Sequence, residues 1–220
     1  LAFGGDTPPS TGATEEFNVS INTVTAGAWA TGGSLNTARS RAGGMLGSDS
    51  TRDAGMAFGG QSGSTIRALN EEYDGTSWTE SGDLGTARRW HYGAGSQTAA
   101  LCAGGVTTAA ASPVVGNTEE YDGSSWSEVN NMGTGRYNGG SGGTQTAAYV
   151  TGGSPAPSYT NATEEYDGTN WSNGNNLNTA RQTGAKLAGT GSQTASLQMG
   201  AGTTNESYDG TNWTSVGSRV

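Results

Sequence analysis

A unit that returns along the chain constrains its fold more than any other feature. Glu71-Glu72-Tyr73-Asp74-Gly75-Thr76-Ser77-Trp78 recurs as Glu119-Glu120-Tyr121-Asp122-Gly123-Ser124-Ser125-Trp126 and as Glu164-Glu165-Tyr166-Asp167-Gly168-Thr169-Asn170-Trp171. A fourth copy is Glu206-Ser207-Tyr208-Asp209-Gly210-Thr211-Asn212-Trp213, and a divergent first copy has Glu15-Glu16-Phe17, a longer insertion and Trp29. Four of these Trp residues are followed ten positions later by an arginine, at Arg39, Arg88, Arg136 and Arg181. Before each copy lies an apolar stretch ending in paired glycines: Phe3-Gly4-Gly5, Phe58-Gly59-Gly60, Ala103-Gly104-Gly105 and Thr151-Gly152-Gly153, with a degenerate fifth form, Met199-Gly200-Ala201-Gly202. A fixed period of this kind decides the architecture, because each repeat is one small unit that must bury its faces against its neighbours.

Between the landmarks the chemistry is that of short strands. Thr98-Ala99-Ala100-Leu101-Cys102 is a compact β run, Asp-Gly favours a hairpin turn, and Tyr and Trp suit a half-buried pleated surface. Four strands fit one repeat: a after the arginine, b ending in the glycine pair, c through Glu-Glu-Tyr and d through Trp. Radial stacking of four-stranded sheets makes a propeller. The expected fold is therefore all-β, a five-bladed β-propeller of four-stranded antiparallel blades in one domain spanning residues 1–220, with approximate blades 1–38, 39–87, 88–135, 136–180 and 181–220. Residue 1 enters at strand b, so the first blade has no evident strand a. It is either three-stranded, completed by a strand beginning at Ser218-Arg219-Val220, or completed by a longer parent chain, which is the favoured reading because an unpaired inner edge is a liability.

Glycine pair, Tyr-Asp, Trp and Arg, in this order and over nearly the whole chain, resemble the kelch repeat, whose families form β-propellers with one repeat per blade. The resemblance implies the same fold here. Two departures stand out: Asp-Gly replaces the longer c-to-d linker usual in kelch blades, and successive Trp positions lie 42 to 49 residues apart, slightly under the usual period of about 50. Asp-Gly-Thr-Ser-Trp is also similar to the Asp-box of sialidase propellers, but the spacing differs by one residue, and that motif is a structural turn away from the catalytic centre.

Composition narrows the function. The net charge is −9 and Lys186 is the only lysine, so nucleic acid, which needs clustered cations to neutralise phosphate, is not an expected partner. Neither is an anionic membrane surface, and no apolar run is long enough for membrane insertion by a helix. Cys102 and His91 are each alone. Multi-cysteine zinc sites and the copper-radical centre of galactose oxidase, also built on a kelch-like propeller, therefore cannot be assembled, and no cofactor is expected. The glutamate pairs are alike in every repeat, whereas a glycosidase needs one special pair. Five matches to the N-glycosylation pattern, at Asn18, Asn161, Asn170, Asn205 and Asn212, say little about a secretory route, since three of them fall in or beside the repeat motif.

Function is expected on one face. Alternating strand direction brings the d-to-a and b-to-c loops to the same side of the disc. The b-to-c loops at Asp6–Ala13, Gln61–Ala68, Val106–Asn117 and Ser154–Asn161 differ in length and content, as recognition loops on a rigid scaffold do. After the arginines the repeat breaks at Trp90, His91 and Tyr92, at Tyr137 and Asn138, and at Arg41. Aromatic rings beside Asn and Arg suit a sugar, whose C–H face stacks on a ring while its hydroxyls take hydrogen bonds. Each residue taken singly fits a plainer role better, plugging the channel or packing between blades. The repeated Tyr and Trp are expected in the inter-blade core, and the repeated arginines beside carboxylates or carbonyls.

These observations favour a non-catalytic binding or adhesion module recognising a glycan, on a virion fibre, a secreted protein or another extracellular surface, and belonging to a larger chain or assembly. A kelch scaffold for a protein ligand is the alternative, and a sialidase-like hydrolase ranks third.

Overall fold

The computed structural model describes residues 2–3, 14–18, 28–45, 54–110, 112–181, 188–199 and 204–218. Every regular element among them is a strand. The first sheet orders β1 (Ala2–Phe3), β2 (Thr14–Asn18) and β3 (Ala28–Thr31). The second orders β4 (Gly43–Met45), β5 (Gly55–Phe58), β8 (Asn70–Tyr73) and β9 (Trp78–Ser81), with a small hairpin, β6 (Gln61–Ser62) and β7 (Thr65–Ile66), emerging between β5 and β8. The third holds β10 (Tyr92–Ser96), β11 (Ala99–Ala103), β12 (Thr118–Tyr121) and β13 (Trp126–Val129), and the fourth β14 (Gly140–Thr144), β15 (Ala147–Thr151), β16 (Thr163–Tyr166) and β17 (Trp171–Gly174). The fifth holds β18 (Ala188–Ser192), β19 (Ala195–Met199), β20 (Thr204–Tyr208) and β21 (Trp213–Ser218).

All neighbours within each sheet are antiparallel, and the inner strands β4, β10, β14 and β18 meet one another in that order. These are the five blades of an all-β propeller, in the a-b-c-d order read from the repeat. The first blade has three strands among the described residues. Ser218 lies at the end of β21, opposite Thr204, and so belongs to an outer strand rather than opening a new inner one. Arg219, Val220, the Asp6–Ala13 loop, Lys186 and the degenerate pair Gly200-Ala201 lie outside the described residues.

The repeat motif makes the hairpin joining strands c and d. Tyr and Trp face each other across it, as Tyr73 with Trp78, Tyr121 with Trp126 and Tyr166 with Trp171. Each of these pairs packs with its rings tilted, 5.1 Å between centroids. The turn closes through the aspartate. Asp122 accepts the N–H groups of Ser124 and Ser125 at 2.9 and 2.8 Å, while Gly123 takes φ 93°, which glycine adopts at no steric cost. These bonds hold the Asp122 carboxyl at about 2, well below the usual range. The glycine pair has a different task. Gly104 and Gly105, at φ 64° and 101°, turn the chain out of strand b so that Gly105 N–H reaches Arg136 O in the next blade at 3.0 Å.

Blades are joined by three repeated contacts. The arginine after each of the first four outer strands enters the next blade and pairs with the first glutamate of its Glu-Glu-Tyr unit, or of Glu-Ser-Tyr in blade five: Arg39 with Glu71 at 2.6 Å, Arg136 with Glu164 at 2.9 Å, and likewise Arg88 with Glu119 and Arg181 with Glu206. These side chains are buried and their charges are paired, although Arg39 Nε and Arg136 Nε find no hydrogen-bond partner. Each glutamate also accepts a backbone N–H from the arginine's own segment, such as Gly85 to Glu119 at 2.6 Å, and each guanidinium also donates to a carbonyl, such as Arg88 to Asn117 O at 2.7 Å. The second glutamate serves the following blade, where the tyrosine hydroxyl donates to it: Tyr121 to Glu72 at 2.5 Å, Tyr166 to Glu120 at 2.9 Å and Tyr208 to Glu165 at 2.8 Å. A glutamine in the a-to-b turn completes the set by donating to two carbonyls of the preceding blade. Gln97 reaches Gly55 and Tyr73, Gln145 reaches Ala100 and Tyr121, and Gln193 reaches Ala148 and Tyr166, all within 3.1 Å.

Candidate functional site

The two residues after Arg39, Arg88 and Arg136 are placed by backbone geometry. The first forms a bridge to the residue after the glycine pair, Ser40 with Gln61, Arg89 with Val106 and Tyr137 with Ser154, which brings the d-to-a segment against the b-to-c loop. The second takes the left-handed conformation, with φ 58° at Arg41, 57° at Trp90 and 63° at Asn138. These three residues are linked in series. Trp90 N–H donates to Arg41 O, and Asn138 N–H donates to Trp90 O, each at 3.0 Å. Three successive blades thereby place equivalent side chains along one arc of the d-to-a and b-to-c face.

On this arc the side chains stack. Tyr137 lies against Trp90 at 5.4 Å between centroids and 21° between planes, while the guanidiniums of Arg89 and Arg41 lie over the Trp90 ring at 3.8 and 4.8 Å. Gln61 Oε1 accepts from both arginines, Arg41 at 2.9 Å and Arg89 at 2.7 Å. Arg89 donates further to Ala109 O at 2.6 Å, fixing the Val106–Asn117 loop. Arg41, Trp90, Tyr137 and Asn138 are half-buried, whereas Arg89 is buried. A cation over an aromatic face is worth about 0.5–2 kcal/mol, so the stack is a preorganised surface of rings and donors.

Of the six residues expected here, Arg41, Trp90, Tyr137 and Asn138 come together, and His91 and Tyr92 turn inward. His91 stacks on Phe58 at 5.1 Å and accepts Gly43 N–H at 2.9 Å, wedging blade three against blade two. Tyr92 is buried beneath blade four, donating to Gly152 O at 3.3 Å, and burial raises its hydroxyl well above its ordinary range. Cys102 is buried in the core of blade three, and burial pushes its thiol up to about 12. A thiol held protonated is not a nucleophile at neutral pH.

Sequence reasoning passed over Arg89 and Gln61. Their signals were present: Arg88-Arg89 is an arginine doublet where other repeats have one, and Gln61 is a long polar residue where the next two blades have Val106 and Ser154. The loop at Ser154–Asn161 adds Tyr159, which is 59% exposed.

The backbone conformation bears on the role of this arc. The left-handed region costs a bulky residue about 1–3 kcal/mol, and glycine is free of that cost. A chain with 39 glycines nevertheless carries Arg and Trp at two of these positions, with Asn, which the left-handed region accommodates, at the third. No protein-family model matches the chain, and no curated protein matches it. The class the structure defines is a repeat protein of antiparallel propeller blades. Among the described residues no helix is long and apolar enough to cross a membrane.

Proposed function

We propose that this chain is a kelch-like binding module that recognises a glycan on the face bearing Trp90, displayed on a virion fibre or another extracellular surface. The observation that carries this reading is the presence of Arg41 and Trp90, beside Asn138, at equivalent positions whose left-handed backbone disfavours bulky side chains. Packing alone gives little reason to hold a tryptophan there, half-buried and stacked on Tyr137, while a saccharide gains from rings flanked by hydrogen-bond donors. A scaffold for a protein ligand is the second reading, favoured by the exposed Tyr159 on a neighbouring loop. The sialidase-like reading has less support, because the four repeat arginines are engaged with glutamates between blades.

Presenting the folded protein to an array of neutral and acidic glycans tests the proposal. Binding to a defined subset, lost in Trp90→Gly with an unchanged circular dichroism spectrum, is the expected result. Absence of binding to every glycan, or binding that survives the substitution, would overturn it.

A further inference from the structure

Among the described residues the large apolar side chains most open to solvent are Tyr159 and Val216, and Tyr159 is by far the more exposed. It makes no hydrogen bond or ring contact with any described residue. The loop that carries it is built to hold it out. Pro155 and Pro157 fix the backbone on either side of Ala156. Ser154 Oγ accepts Ala156 N–H and donates to Ser158 O, both at 3.1 Å, and Thr160 N–H closes the loop on Gly153 O at 3.0 Å. Tyr159 thus sits between two residues that are both tied back to the Gly153-Ser154 pair. A loop fixed in this way before binding loses little freedom when a ligand arrives.

The same pair joins the loop to the arc. Ser154 and Tyr137 exchange backbone hydrogen bonds, Tyr137 N–H to Ser154 O at 3.1 Å and Ser154 N–H to Tyr137 O at 2.9 Å. Two ladder steps therefore separate the Tyr159 backbone from that of Tyr137, on the order of 10 Å. Tyr137 stacks on Trp90 and not on Tyr159, and neither tyrosine hydroxyl has a hydrogen-bond partner among the described residues. The face thus presents two separate aromatic platforms, each with a polar tip. The loop from Ser154 to Asn161 has no Asp, Glu, Lys or Arg, so what it meets is held by C–H faces and hydroxyls. Two platforms at this spacing are too far apart for a single pyranose and suit a short chain of them.

From this we infer that the ligand of this face is an oligosaccharide bound along its length, one sugar beside Trp90 and Tyr137 and a further one on Tyr159, which makes Tyr159 the residue that selects chain length. The inference rests on the glycan-binding reading above and adds the second platform to it.

Glucose, galactose, mannose, xylose, N-acetylglucosamine, galacturonate and sialic acid, each immobilised as monosaccharide, disaccharide and tetrasaccharide, test it with the intact protein. At least one series is expected to bind, its tetrasaccharide about tenfold more tightly than its monosaccharide, the contribution of one further ring contact. Tyr159→Ala is expected to lower the tetrasaccharide affinity about tenfold, so that the preference for length disappears, and Tyr159→Phe to keep most of it. Trp90→Gly is expected to abolish binding at every length. Equal affinity for all lengths of a bound series, or a length preference that survives Tyr159→Ala, would overturn the inference and leave the glycan reading standing. Failure of every saccharide would remove both.

Discussion

Trp90 illustrates how a single residue can be held against its own backbone preference. At φ 57° replacement by glycine relieves about 1–3 kcal/mol of strain and removes cation–π and stacking contacts worth about 0.5–2 kcal/mol. These nearly cancel, so Trp90→Gly is expected to shift the melting temperature by only a few degrees while abolishing ligand binding. Calorimetry of the variant checks the first half. Glu119 is the opposite case, a residue whose role is wholly structural. Glu119→Ala leaves Arg88 buried without its counter-ion and is expected to cost about 3–5 kcal/mol in denaturant unfolding. That the repeat arginines meet carboxylates was legible from the recurrence of both. Which glutamate of each pair they meet was not, because that depends on strand register, which sends adjacent residues to opposite faces. The inward turn of His91 and Tyr92 was hidden for the same reason: they follow Trp90 directly, and one residue beyond a left-handed position the chain is already entering strand a.

At the scale of elements, the tyrosine hydroxyls tie each strand c to the blade before it. Burial, followed by the hydrogen bond to Glu72, pushes Tyr121 up to about 12 from its ordinary value of 10.0, and the same causes raise Tyr166 and Tyr208. A tyrosine whose folded value lies above its unfolded one contributes stability that is complete below the unfolded value and is lost as pH rises through the folded one. Stability is therefore expected to fall between pH 10 and about 12, with late phenolate absorbance; early, uniform ionisation of all the tyrosines would count against these contacts. The glutamine turns make a second expectation. Gln145→Ala leaves Ala100 O and Tyr121 O without their donor, a loss of about 1–3 kcal/mol in urea unfolding. Strand order was legible because the glycine pair, Tyr and Trp mark it in each repeat. The β6–β7 hairpin was not, since strands of two residues, Gln61–Ser62 and Thr65–Ile66, are too short to show alternation.

For the whole molecule, the repeat carries a prediction: closure of the five blades into one ring would bring blade five against blade one. In the described contacts the tyrosine of one blade donates to the second glutamate of the blade before it. In blade five that glutamate is replaced by Ser207, which occupies its register position between Leu197 and Thr214. In blade one the tyrosine is replaced by Phe17, opposite Trp29 as the tyrosines are opposite their own tryptophans. Both halves of one contact are thus absent together, as they would be if these two positions faced each other across the closing interface. A double-mutant cycle in thermal unfolding tests this directly. In a closed ring, Ser207→Glu alone is expected to destabilise by adding a carboxylate at the blade-one interface, and adding Phe17→Tyr is expected to recover stability with a coupling of about 1.5–3 kcal/mol, the worth of a hydrogen bond to a charged group. Strictly additive effects of the two substitutions would contradict a ring closed between blades five and one.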